Sequence, residues 1–506
     1  MKHVLVVHAL SQLQRRTTIE FVSAFGRYAP DDVRVQYQNI RRPITSELQS
    51  HQFDAVFLTY DVLSLRSSSQ WTWAMEKLMT LCELGDRVVA FPQDDYTHNV
   101  GLDTSLAELS TDIIFTPIET GLHIVYPTMH RRATILHAYT GYVDEETARV
   151  RDQKRIPIAD RPIHVGQRVR MLPAWFGRAG QEKGLFAERF KAAATKYPDL
   201  AIDISTRDED AFSGESWYEF LGSSRATIGQ KGGASLCDPS GEIMSSVIEF
   251  QEANPDASFE EIEAACFPGL DYQAEMKAIS PRLFDAAMLG TAQVLIEDDY
   301  LGELEPWVHY IPTDSDVSNM GEIREALQDA TLLDRLASAT RETLILSGRY
   351  TYRAFIEGVY AAAVPGGDHG SSGSLTGDAA DQLQWRLSAP LFEALQRIAY
   401  LAASTRSTAA VADLFDEVAG LLTSSPELTD YLDHRLLVDL FGEIHLGRGL
   451  DAVLEPLIDV AVETARLGAG HHAALWIRSA LNHELDWELQ TWIDQDRVLL
   501  DEGVDA

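Results

Sequence analysis

Residues 163–205 read IHVGQRVRMLPAWFGRAGQEKGLFAERFKAAATKYPDLAIDIS. A short apolar run at 163–169 is followed by a glycine-bearing turn. A helical three-four pattern covers 185–197, and a second apolar run follows at 201–205. Short strands separated by a helix of this length imply a right-handed crossover between parallel strands. The pattern continues. Strands are expected at 226–229, 292–296 and 307–311, with helices at 217–223, 281–289, 320–338 and 341–363.

The same alternation fills the first part of the chain. Apolar runs at 4–7, 33–37, 55–59, 88–91 and 113–116 flank helical segments at 17–28, 71–84 and 102–109. The expectation is an α/β chain with two Rossmann-like, doubly wound lobes facing a cleft. The boundaries read 1–155 for the first lobe and 156–364 for the second. A Gly/Ser-rich linker spans 365–380, and residues 381–506 read as an all-helical accessory domain. The turn after the first run, His8-Ala9-Leu10-Ser11, lacks the Gly-x-Gly-x-x-Gly of dinucleotide sites.

Composition narrows the function. The 506 residues carry 42 Lys and Arg against 77 Asp and Glu, a formal net charge of −35. Such a chain repels phosphate backbones and anionic membranes, so no nucleic-acid partner is expected. A local basic pocket for one phosphorylated ligand remains compatible with it. Apolar residues make up 45%, enough for large cores. The three cysteines, Cys82, Cys237 and Cys266, are too few and too scattered for a disulfide framework or a zinc cluster. Neither a signal segment nor a run of about 18 apolar residues is present, so the expected location is cytoplasmic.

Several constellations could carry chemistry. Arg178 and Lys183, five residues apart in Gly177-Arg178-Ala179-Gly180-Gln181-Glu182-Lys183-Gly184, could grip a diphosphate from a turn; two surface cations are the plainer alternative. Ser280 and Arg282 open a short apolar helix that Gly290 ends, and free backbone N–H groups there suit a phosphate. Asp285, one turn further, could accept from ribose hydroxyls. Lys231 and Gly233 lie in the loop Gly229-Gln230-Lys231-Gly232-Gly233, where glycines permit close backbone approach, or simply form a tight turn. In the first lobe Asp94 or Asp95, and after them His98, end the fourth strand and could deprotonate an acceptor hydroxyl, unless they merely cap the next helix.

Residues 177–184 resemble the Gly-Arg…Glu-Lys-Gly turn of retaining GT-B glycosyltransferases. Residues 280–296, SPRLFDAAMLGTAQVLI, resemble their donor helix, and HYIPTDSDVSNMGEIREAL (309–327) is similar to their closing segment. More narrowly, the chain resembles the bacterial group-1 glycosyltransferases that include spore-maturation relatives, over residues 1–363. The resemblance implies a nucleotide-sugar donor in the second lobe, a hydroxyl acceptor in the first, no cofactor and metal-independent transfer. Two departures stand out. Asp285 replaces the usual Glu, and Lys277 occupies the place of another acid near the transferred sugar. An insert of about 40 residues, 237–276, precedes the donor helix. The alternatives are a sugar-nucleotide epimerase and a catalytically silent binding scaffold. The helical tail could dimerise or dock a partner.

Overall fold

The computed structural model describes residues 2–10 and 16–364, apart from 43, 69, 208, 209, 213, 274 and 275. The expected linker 365–380 and helical domain 381–506 lie outside the described residues. Both α/β lobes fall in one contact-defined unit.

The first sheet contains β1 (Lys2–His8), β2 (Val33–Asn39), β3 (Ala55–Leu58), β4 (Val88–Ala90), β5 (Ile113–Thr116) and β6 (Thr134–His137). All pairings are parallel, in the order β2-β1-β3-β4-β5-β6. Val4 to Val7 are fully buried, as a central strand covered on both faces requires. The second sheet contains β7 (Ile163–Arg168), β8 (Ile202–Ser205), β9 (Ser224–Gly229), β12 (Ala292–Ile296) and β13 (Ile311–Thr313), again all parallel, in the order β13-β12-β9-β7-β8. A separate antiparallel pair joins β10 (Gly232–Ala234) to β11 (Met276–Ala278). Among the described residues, no helix is long and apolar enough to cross a membrane.

The structure departs from the sequence reading in several places. The strand expected at 307–311 is Ile311–Thr313, because Trp307 to Tyr310 form a turn held by the Trp307 N–H donating to the Tyr310 carbonyl at 2.8 Å. β6 is an edge strand whose side chains are half-buried or exposed, so its sequence carries little apolar signal. The expected helix 320–338 is two, Met320–Gln328 and Ala330–Arg341. Between them the Asp329 carboxylate accepts from the N–H groups of Thr331 and Leu332 and starts a new helix. The segment 341–363 also breaks, and its last part, Tyr352–Ala363, packs on the first lobe rather than closing the second. There the Tyr360 hydroxyl donates to the Phe25 carbonyl at 2.9 Å, and the Phe355 and Tyr142 rings stack 4.2 Å apart. The insert holds two helices, Glu242–Ala253 and Phe259–Cys266, joined by the expected turn at 254–256.

One buried cation ties the second lobe together. Arg161 is 1% exposed. It donates to the carbonyls of Ile156, Ser224 and Leu289 and to the Thr291 hydroxyl, at 2.7–2.9 Å. It thus fixes the start of β9 and receives the negative end of the helix Arg282–Leu289. Arg161→Met leaves these oxygens without donors and is expected to cost about 3 kcal/mol in denaturant unfolding; a loss below about 1 kcal/mol contradicts the assignment.

Candidate functional site

In the second sheet the chain runs outward in both directions from β7, towards β8 on one side and β9 on the other. Ligands in open α/β sheets sit outside the carboxyl ends of strands at such a reversal. A small, partly open pocket of about 30 Å³ lies there. Its floor comes from the ends of β7 (Gln167), β9 (Thr227, Ile228, Gly229) and β12 (Gln293, Leu295). Lys183, from the helix Gly177–Ala194, and Ser280 and Arg282, at the start of the helix Arg282–Leu289, supply its polar wall. Trp217 completes it.

Its electrostatics are unusual for so acidic a chain. Among the described residues, neither Lys183 nor Arg282 forms an ion pair with a carboxylate. Burial, with Arg282 adding repulsion, pulls the Lys183 ammonium down to about 7. Burial also lowers the Arg282 pKa, with Asp285 opposing the shift and Arg170 adding to it. Arg282 Nη1, Gln230 Oε1 and Thr227 Oγ1 are buried with no hydrogen-bond partner among the described residues. Two cations, one of them with an unpaired Nη1, and two further unpaired polar atoms meet at this pocket, an arrangement chemically suited to an anion with further polar groups.

The structure does not bring all the expected binding residues here. Residues 177–184 are the first turns of a helix, not a loop. At about 100° per residue, Arg178 and Lys183 therefore point to different sides. Arg178 turns to the insert, where its Nη1 lies 3.1 Å from Glu260 and its Nη2 2.5 Å from Glu263. The helix N-terminus beside it is already occupied. Asp271 of the insert accepts from the Arg178 N–H at 3.0 Å and from the Ser235 hydroxyl at 2.6 Å. A diphosphate expected at that turn meets the chain's own carboxylates instead.

Asp285 sits behind the pocket. It accepts from Trp217 Nε1 at 3.0 Å, and burial pushes it up to about 6 despite that bond and nearby Arg282. It positions Trp217 and Arg282 and does not line the pocket. Gly233 also has a structural duty. At φ +140° it pairs with Lys277, and a Cβ there would meet the Met276 carbonyl oxygen at 1.9 Å. Lys231 faces a second pocket and pairs with Asp298 at 3.6 Å.

The three first-lobe candidates lie at the seam between lobes. Asp95 is wholly buried. It accepts from the hydroxyls of Thr116 and, at 2.5 Å, Tyr126, and burial raises its pKa. Asp94 is exposed, adopts φ 50° and accepts from the Tyr96 hydroxyl at 2.7 Å. His98 packs against Gly241 of the second lobe, and burial lowers its pKa. The adjoining backbone closes the seam, with the Asp238 N–H donating to the Tyr96 carbonyl at 2.9 Å. None of the three lines either of the two pockets described here. Sequence reasoning passed over Gln230 and Trp217. The usable signal for Gln230 was its place one residue past a strand end; Trp217 carried none.

No family model matches the chain, and no curated protein does. Among solved structures it is similar to HepE of Anabaena. The complex with UDP-glucose shares 10% identity over 72% of this chain and 100% of that one, at a TM-score of 0.36. The complex with UDP and glucose shares 8% over 72% and 99%, at 0.35. A likeness this distant transfers no residue roles.

An uncompensated cation weakens the empty fold. The folded state holds Lys183 near 7 against 10.5 unfolded, so its contribution to stability falls as pH drops from 10.5 to 7 and stays low below that. Lys183→Met is therefore expected to raise the melting temperature of the ligand-free protein at pH 7 by about 1–3 °C. A drop in melting temperature contradicts this reading.

Proposed function

We propose that the second-lobe pocket binds the diphosphate of a nucleotide-sugar, and that the chain is a glycosyltransferase of the GT-B type. The observation that carries the reading is the convergence of Lys183 and Arg282, neither ion-paired, on one strand-end pocket. The Ser280 hydroxyl adds a donor for phosphate oxygens, whereas the N–H groups of Leu283, Phe284 and Asp285 already donate to the Ser280 and Pro281 carbonyls. In transfer, the diphosphate gains negative charge as its bond to the sugar breaks. Fixed cations stabilise that charge more than they stabilise the ground state. The cations serve in place of a metal, and no cofactor is needed. The acceptor is a hydroxyl, in surface glycan or glycoconjugate assembly in the cytoplasm. In this reading Arg178, Lys231, Gly233 and Asp285 support the donor site from outside it.

An epimerase or a silent scaffold would share the diphosphate pocket but transfer nothing to an acceptor. Release of nucleoside diphosphate that depends on added acceptor separates the three.

Calorimetric titration with UDP, GDP and ADP tests the pocket. At least one is expected to bind, and Lys183→Ala and Arg282→Ala are each expected to weaken it about 10- to 100-fold. Binding favours the Lys183 ammonium. Affinity is therefore expected to fall as pH rises from 7 to 9, and to lose that dependence in Lys183→Arg. Unchanged affinity in both alanine variants removes the site.

A further inference from the structure

A second pocket of about 280 Å³ opens beside the first, with Ile279 in the wall of both. Its volume comes close to the lower bound of small-molecule sites, about 300 Å³. Glu119 and Tyr139 reach it from the first lobe, and Lys231, Lys277 and Asp299 from the second. The link from β9 to β10 runs from one pocket to the other, since Gln230 lines the first and Lys231 the second. The next residue, Gly232, lies by the Lys183 ammonium: a Cβ built on it would stand 3.9 Å from Lys183 Nζ. A group in the second pocket is therefore a near neighbour of a phosphate held in the first.

Charge is spread unevenly around this pocket. Its two lining acids are exposed. The Glu119 side chain is 58% exposed and lies 3.3 Å from Nε2 of His137, and Asp299 accepts from the Gly302 N–H at 2.8 Å. Water screens such charges. The Lys231 side chain, by contrast, is only 13% exposed. Asp298 lies between Lys231 and Lys277 but does not satisfy both. Its Oδ1 accepts from the Asp299 N–H at 2.7 Å and its Oδ2 from Lys277 Nζ at 3.1 Å. Lys231 Nζ stands 3.6 Å from Oδ1, too far for a hydrogen bond, and makes none among the described residues. A mostly buried ammonium with three N–H donors thus lacks an acceptor, and two ammonium groups share one carboxylate. Unmade bonds of this kind cost free energy that a ligand oxygen recovers.

We infer that the second pocket seats the sugar of the donor and that Lys231 reads a carboxylate on it, so that the donor is a nucleotide-activated uronic acid. This rests on the glycosyl-transfer reading above and names its substrate class. Tyr139, Ile279 and Leu301 offer an apolar wall for the C–H faces of a pyranose. A hydroxyl at C6 would accept a hydrogen bond from Lys231 and leave the excess positive charge in place. A carboxylate at that carbon accepts the bond and also supplies the missing negative charge. Lys277, on the same wall, adds to the field that favours it.

The test is calorimetric titration of the full chain with UDP, GDP and ADP and with matched donors on each base. Each match pairs a neutral hexose with its C6-carboxylate, in the gluco, galacto and manno configurations. At least one uronic-acid donor is expected to bind about 10-fold or more tighter than its neutral partner. Lys231→Gln keeps a donor and loses the charge; Lys231→Met loses both. Each is expected to bring that pair within about twofold of one another, while nucleoside diphosphate affinity stays within about twofold of wild type. Neutral donors that bind as tightly as their carboxylates, or a preference that survives both substitutions, overturn the inference and leave the diphosphate pocket standing. A fall in nucleoside diphosphate affinity as large as the fall for the uronic-acid donor puts Lys231 in the diphosphate site and also overturns it. A chain that binds none of the three nucleoside diphosphates overturns the transferase reading itself, and this inference with it.

Discussion

The proposed donor site depends on two positive charges that form no ion pair with a carboxylate among the described residues. With 77 acidic side chains against 42 basic ones, many cations of the chain have a carboxylate at hand. Arg178 has three acids around it, and Lys231 and Lys277 share Asp298. Lys183 and Arg282 form no such pairs, and burial and mutual repulsion disfavour the charge on Lys183. Such an arrangement costs stability and persists where a ligand supplies the missing negative charge.

The framework that holds those charges is made by ordinary packing. Parallel strands bring their carboxyl ends to one edge, and Arg161 anchors the far end of the helix that presents Arg282. Asp285 and Trp217 brace the same helix from behind. The insert does something different. Its acids occupy the start of the helix Gly177–Ala194, and Asp238 at its edge meets the 94–98 loop of the first lobe. It consumes one expected phosphate site and closes one side of the seam between lobes.

Much of this was legible in the sequence because it is local. Val4 to Val7, Ile113 to Thr116 and Ala292 to Ile296 declare buried strands through continuous apolar runs. Pro281 and Gly290 bracket a helix, Gly290 as its left-handed C-cap, while the Ser280 side chain expected to cap the start makes no capping bond. What was not legible depends on distant partners. Arg178 looked available because Glu260, Glu263 and Asp271 lie more than 80 residues away. Asp95 read as a base for an acceptor because Thr116 and Tyr126, which bury it, belong to later elements. β6 was missed because an edge strand needs only half an apolar face. Glu119 and His137, separated by 18 residues, meet only once β5 and β6 pair.

A crystal structure of the chain with a bound nucleoside diphosphate tests the central claim most directly. The account predicts phosphate oxygens within hydrogen-bond distance of Lys183 Nζ and Arg282 Nη1, with Arg178 still held by Glu260 and Glu263. A diphosphate seated instead on Arg178 at the start of the helix Gly177–Ala194, with Asp271 displaced, would contradict it.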